Sequence, residues 1–132
     1  MATDFTIMLA DRPGELARVG EALGRAAVNV EGVAGVVTDG RGVLHLAVED
    51  ADGARAALDS AGVEVAREAD ALLFDVSAYA DTPGSLGVIA RKIADAGVNI
   101  EALYLAHDNR NVLVSSDNEA ARVALATPLP TP

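Results

Sequence analysis

The chain writes one stretch of sequence twice. Residues ADRPGELARVGEALGRAAVNVE, Ala10 to Glu31, return without a gap as ADTPGSLGVIARKIADAGVNIE, Ala80 to Glu101. The identical pairs are Ala10/Ala80, Asp11/Asp81, Pro13/Pro83, Gly14/Gly84, Leu16/Leu86, Ala26/Ala96, Val28/Val98, Asn29/Asn99 and Glu31/Glu101. A composition rich in Ala, Gly and Val would give roughly two such matches by chance, so the repeat is a duplication of structure. It divides the 132 residues into two modules, 1–69 and 70–132. Modules of about 65 to 70 residues sit near the lower size limit for independent folding, so burial between modules or between chains is expected.

The flanking pattern is the same in both copies. Phe5 to Ala10 alternates Phe5, Ile7 and Leu9 against Thr6, Met8 and Ala10, and Leu72 to Ala80 alternates likewise, which is the period of a half-buried strand. Pro13 and Pro83 suit a first helical position, with Thr82 as N-cap in the second copy. Leu16, Val19, Leu23 and Ala26 then recur at helical spacing, as do Leu86, Ile89, Ile93 and Ala96, with stops near Ala27 and at Gly97. Val28 to Thr38 and Val98 to His107 read as strands, turned back at Asp39-Gly40 and Asp108-Asn109 into Val43 to Glu49 and Val112 to Ser116. GARAAL (53–58) and AARVAL (120–125) read as second helices, each preceded by acidic residues that favour a helix N-terminus. Val63 to Ala66 makes a last short strand.

The order strand, helix, strand, strand, helix, strand predicts an α+β chain of two tandem ferredoxin-like βαββαβ modules, each an antiparallel sheet with its helices on one face. After Leu125 only ATPLPTP remains, and its three prolines cannot form an interior strand, so the second module lacks its last strand.

What could the repeated stretch hold? The backbone N–H groups at Gly14 and Gly84 and the residues after them open a helix, whose free donors and partial positive charge suit a carboxylate. Asp11 and Asp81 stand beside them for an ammonium group, and Asn29 and Asn99 offer both acceptor and donors. Such a set fits a free amino acid. Asp-x-Pro-Gly by itself is a turn and a helix start, and a lone Asn there is a turn residue. It is the repetition at one spacing that points to a ligand.

These segments, DRPGEL with VNVE and DTPGSL with GVNIEALYLA, resemble the ACT domain, a ferredoxin-like module that binds amino acids and regulates amino-acid metabolism. The resemblance spans essentially the whole chain as two tandem modules. It implies that Asp11, Gly14, Asn29, Asp81, Gly84 and Asn99 occupy ligand-contact positions, and the candidate set extends to the loop neighbours Arg12, Glu15, Leu16, Thr82, Ser85 and Leu86. Arg12 and Glu15 face Thr82 and Ser85 in the alignment, so the two sites need not be equivalent.

Geometry then bears on assembly. A helix of about 14 residues is about 20 Å long and separates the glycine loop from the Asn, so one module cannot close a site with both. A second module set antiparallel beside the first would do so. Pairing the modules of one chain through their second strands would demand a reach of roughly 29 Å, six strand spacings. The connecting residues 67–72 span roughly 20 Å at most. The neighbour is therefore expected from another chain, making a homodimer, and the short link suits a hairpin in which Val63 to Ala66 pairs with the first strands of both modules.

Other classes are argued against. A formal charge of −10 with a single lysine leaves nothing to neutralise a phosphate backbone, so no nucleic-acid partner is expected. No apolar run reaches membrane-spanning length and Asp4 stands where a signal peptide carries basic residues, so a cytoplasmic protein with no membrane partner is expected. The chain has no cysteine, and His45 and His107 lack ligand spacing, so no metal or other cofactor is expected. No nucleophile with a base stands out, hence no catalytic residue and no enzyme. The reading is a non-catalytic amino-acid sensor that acts on a partner enzyme or regulator. The alternative is a ligand-free dimerisation module serving as regulatory subunit of an amino-acid metabolic enzyme.

Overall fold

The computed structural model describes residues 1–126, so the expectation for the tail after Leu125 lies almost wholly outside the described residues. The elements are β1 (Ala2–Ala10), α1 (Glu15–Arg25), β2 (Gly32–Thr38), β3 (Arg41–Val48), α2 (Ala51–Ser60), β4 (Glu64–Asp75), α3 (Ser85–Asp95), β5 (Ile100–Ala106), β6 (Arg110–Ser115) and α4 (Asn118–Ala126), with a 3₁₀ turn at Ser77–Tyr79. No helix among the described residues is long and apolar enough to cross a membrane.

The chain falls into two compact units, the first Met1–Asp70 and the second beginning at Ala71. In the first, β3 pairs antiparallel with both β1 and β2. Phe5, Ile7 and Leu9 of β1, Leu44, Leu46 and Val48 of β3, Val19 and Leu23 of α1 and Leu58 of α2 form its core. The opposite face of β1 carries Asp4, which is buried and bonded to the His45 Nδ1 at 3.0 Å. In the second unit β6 pairs antiparallel with β4 and β5, and Leu72, Ile89, Ile93, Val98, Leu113 and Ala121 form the core.

The expected pair of tandem ferredoxin-like modules, the second short of a strand, requires correction. The six strands follow one another as β1-β3-β2-β5-β6-β4 in a single closed barrel. The physical reason lies in β4. The short strand expected at residues 63–66, the link at 67–72 and the start of the next strand are one uninterrupted strand of 12 residues. Nothing between Val63 and Asp75 is Gly, Pro or Asn, so no residue breaks the extended backbone or turns it into a hairpin. Arg67, Glu68 and Asp70 suggest a solvated link by charge alone, whereas Glu68 lies on the strand and takes three contacts from the Arg55 guanidinium at 2.6 to 3.0 Å. With the link gone, the argument from its length to a second chain lapses as well.

The helix starts also differ from expectation. Neither Pro13 nor Pro83 is a first helical residue and Thr82 is not the N-cap. Glu15 and Ser85 are the first helical residues, and Gly14 and Gly84 are the N-caps, in left-handed geometry at φ 89° and 94°. In the second copy Pro83 and Gly84 occupy the central positions of a type II turn, closed by the Ser85 N–H donating to the Thr82 carbonyl at 3.3 Å. That turn needs φ above zero after proline, which glycine alone adopts without strain. The three helix ends at Ala27, Gly62 and Gly97 share one form. The N–H of Val28, Val63 and Val98 reaches back five residues, to the carbonyls of Leu23, Leu58 and Ile93, while the left-handed residue before it bonds Gly24, Asp59 and Ala94. Both hairpin turns hold their two central residues at positive φ, as expected of Asp39-Gly40 and Asp108-Asn109.

Candidate functional site

Each repeat builds a hollow where its loop leaves the sheet. In the first unit β1 delivers the chain to Asp11, and the loop turns with the Arg12 N–H on the Ala10 carbonyl at 3.0 Å. Gly14 then opens α1, whose first internal bond is Arg18 N–H to the Gly14 carbonyl at 3.0 Å. The N–H groups of Glu15, Leu16 and Ala17 therefore precede the helical ladder, the usual orphan donors of a helix start. Beside them lies a hollow of about 510 Å³, lined by Asp11, Arg12, Glu15 and Leu16 together with the ends of β1, β2 and β3. Its rim is charged: Glu15 pairs with Arg12 at 3.8 Å and with Arg18 at 3.4 Å. Arg18 also donates to the Ala61 carbonyl at 2.8 Å, tying α1 to the end of α2.

The second unit repeats the plan with different chemistry. Its strand ends at Asp75, and the five residues Val76–Ala80 intervene before the loop, where the first unit has none. Leu72 to Ala80 is thus not all strand. The Asp75 carboxylate receives the Ser77 N–H at 2.7 Å and the Ser77 hydroxyl, which fix the 3₁₀ turn and hold that carboxyl below its ordinary range. Asp81 follows at φ 55°, left-handed for a residue with a Cβ. The Ser85 hydroxyl turns back on the carbonyls of Thr82 at 2.7 Å and Tyr79 at 2.9 Å. A hollow of about 570 Å³ lies here, lined by Asp81, Thr82, Pro83, Ser85 and Leu86 of the loop, Val76 and Tyr79 of the intervening turn, and Arg110 and Asn111 of β6, among others.

Of the candidate residues, Asp11, Arg12, Glu15 and Leu16 come together in one hollow, and Asp81, Thr82, Ser85 and Leu86 in the other. Gly14 and Gly84 shape the loops without lining the hollows. Asn29 and Asn99 line neither. Each is exposed beyond the far end of its own helix. The Asn29 Nδ2 donates to Glu31 at 3.0 Å, and the Asn99 backbone is held by Ser116, whose hydroxyl accepts at 2.9 Å and whose N–H donates at 3.0 Å.

Sequence reasoning missed Val76, Arg110 and Asn111. A signal for the last was available. Within Arg110–Ser115 the period of two sets Asn111 on the face of Leu113, an inward position where a polar residue calls for a partner. A further hollow of about 480 Å³ between α1 and α2 is lined by five alanines, Gly53, Arg25 and Ser60 and offers no convergent polar groups. The loops are the better site because they combine helix starts, carboxylates and depth. Among the described residues no group of three or more His, Cys, Asp or Glu could hold a metal ion.

No family model matches the chain, and no curated protein is significantly similar to it. Solved structures do match. The ligand-free regulatory subunit of aspartate kinase from Thermus thermophilus is 24% identical over 94% of this chain and 87% of its own, with a TM-score of 0.68. The regulatory subunit of aspartate kinase from Thermus flavus is 24% identical over the same shares, with a TM-score of 0.71. A structure of aspartokinase alpha and beta subunits is 18% identical over 94% of this chain and 88% of its own, with a TM-score of 0.69. The chain has the fold seen in regulatory subunits of aspartate kinase.

Proposed function

We propose that the chain is a non-catalytic regulatory protein of the ACT type that binds a free amino acid at its Asp-x-Pro-Gly loops and passes the binding on to a partner enzyme. The observation that carries this reading is the pair of helix starts opened by a left-handed glycine, each beside a hollow of about 500 to 600 Å³ with a loop aspartate on its wall. Hollows of that size match small-molecule sites. The orphan N–H donors would take the ligand's carboxylate, and Asp11 or Asp81 its ammonium group. The fold shared with regulatory subunits of aspartate kinase supports a regulatory role and makes such a kinase the first partner to try. The two repeats, 1–69 and 70–132, act as the two ligand-binding modules in this reading, in a cytoplasmic protein.

Because Asn29 and Asn99 stand apart from the hollows of their own units, a homodimer is part of the proposal, with the Asn of a second copy completing each site. Exposed Leu16, Val33, Val36 and Val37 around the first hollow, and Leu86 and Leu105 around the second, are apolar surface that such a neighbour would cover. The same surface favours a second reading, in which the chain only dimerises and binds no ligand.

Thermal melts of the full chain with each common amino acid separate the two. A ligand at 100 times its Kd adds about 2.7 kcal/mol to stability. One amino acid should shift the melt, and replacing Asn29 and Asn99 with Ala should remove the shift while the fold persists. If no amino acid moves the transition, the ligand-free reading stands.

A further inference from the structure

Asn111 is 7% exposed, and its side-chain oxygen is buried with no hydrogen-bond partner among the described residues. It stands in β6 opposite Phe74 and lines the hollow behind the second loop. A buried amide oxygen without a partner is an unfavourable feature on a strand's core face, where leucine would cost less. Nearby polar groups do not relieve it. The Ser85 hydroxyl is engaged with the Thr82 and Tyr79 carbonyls, and Val76, Leu86 and Ile89 supply apolar wall.

The first unit has no such group. Arg41 faces Ala10 and Gly42 faces Leu9, as Arg110 faces Asp75 and Asn111 faces Phe74, so Gly42 is the counterpart of Asn111. A Cβ added at Gly42 would already touch the Leu9 Cβ at 3.4 Å. The amide belongs to the second hollow alone.

We infer that Asn111 is a specificity-determining residue of the second site, where its amide hydrogen-bonds the side chain of the amino acid whose carboxylate lies at the helix start opened by Gly84. An amide presents both acceptor and donors, so the ligand has a short side chain with an apolar stem and a hydroxyl or amide tip. The first site, with Gly42 in that place, makes no such selection. This rests on the amino-acid-binding reading proposed above.

The test is calorimetric titration of the full chain with the common amino acids, in which threonine against valine and asparagine against leucine are near-isosteric pairs differing in the polar tip. The wild type should bind the polar member of at least one pair ~10-fold or more tightly than its apolar twin, since an unpaired site group penalises the analogue. In Asn111→Leu, and in Asn111→Ala should the former not fold, that ratio should fall to about 1 through loss of the polar ligand, while circular dichroism stays native. The inference is overturned if the tightest ligand carries neither hydroxyl nor amide, or if the ratio survives in a folded Asn111 variant. Those outcomes leave amino-acid binding intact. Absence of any binding to the wild type would instead overturn the amino-acid-binding reading, and this one with it.

Discussion

Ala27 should be the easiest place to stabilise this protein. It holds φ 56° at the end of α1, the place taken by Gly62 at the end of α2 and by Gly97 at the end of α3. Left-handed backbone costs a residue with a Cβ about 1–2 kcal/mol. Glycine returns about 0.4–1 kcal/mol of that as unfolded-chain entropy. Ala27 is exposed, so its methyl group gives up little packing. Ala27→Gly should therefore add about 0.5–1 kcal/mol, or ~2–4 °C in Tm for a chain of this size. Gly97→Ala is the mirror experiment. A Cβ built there meets nothing within 4 Å, so the loss should be purely conformational and of similar size. Urea unfolding of both variants at fixed pH, followed by circular dichroism, should move the midpoint in opposite directions with m unchanged. Movement in the same direction, or a destabilised Ala27→Gly, would refute the view that backbone strain rather than packing decides these two helix ends.

Two further outcomes follow from the pairing and the core. The Glu68 carboxyl is held below its ordinary value chiefly by the Arg55 hydrogen bonds. A depressed folded-state value contributes stability above the ordinary glutamate pKa and loses it as pH falls through the depressed one. The stability gap between wild type and Arg55→Gln should thus be open at neutral pH and close in acid, in urea titrations across that range. A gap independent of pH would show that the pair is not what Arg55 contributes. Ile93→Ala removes a fully buried side chain from the second unit's core and should cost about 2–5 kcal/mol, read from the same titrations. A cost under about 1 kcal/mol would mean the site collapses around the loss.

Much of the local structure was legible because it is written in periodicity and turn chemistry. The alternation of Phe5, Ile7 and Leu9, the helical spacing of Ile89 and Ile93, and the Asp39-Gly40 turn each report physics that acts within a few residues. Strand order did not follow from the same cues. Whether two repeats own separate sheets depends on which edges pair, and that is settled over long range. Charges at Arg67, Glu68 and Asp70 mimic a linker, because a strand with a solvated face and a connecting loop have the same polarity. At the site, the loop residues were found from their repetition. Asn111 was not, since the repeat places Gly42 against it and comparison of copies discards what only one of them has.

The five residues Val76–Ala80 set the two loops on separate paths. Here the second hollow takes Val76 and Tyr79 from the turn, where the first takes Leu9 and Ala10 from the end of a strand. Substitutions within that turn could therefore retune one mouth while its sibling keeps its setting, giving selection and protein engineers alike an independent dial.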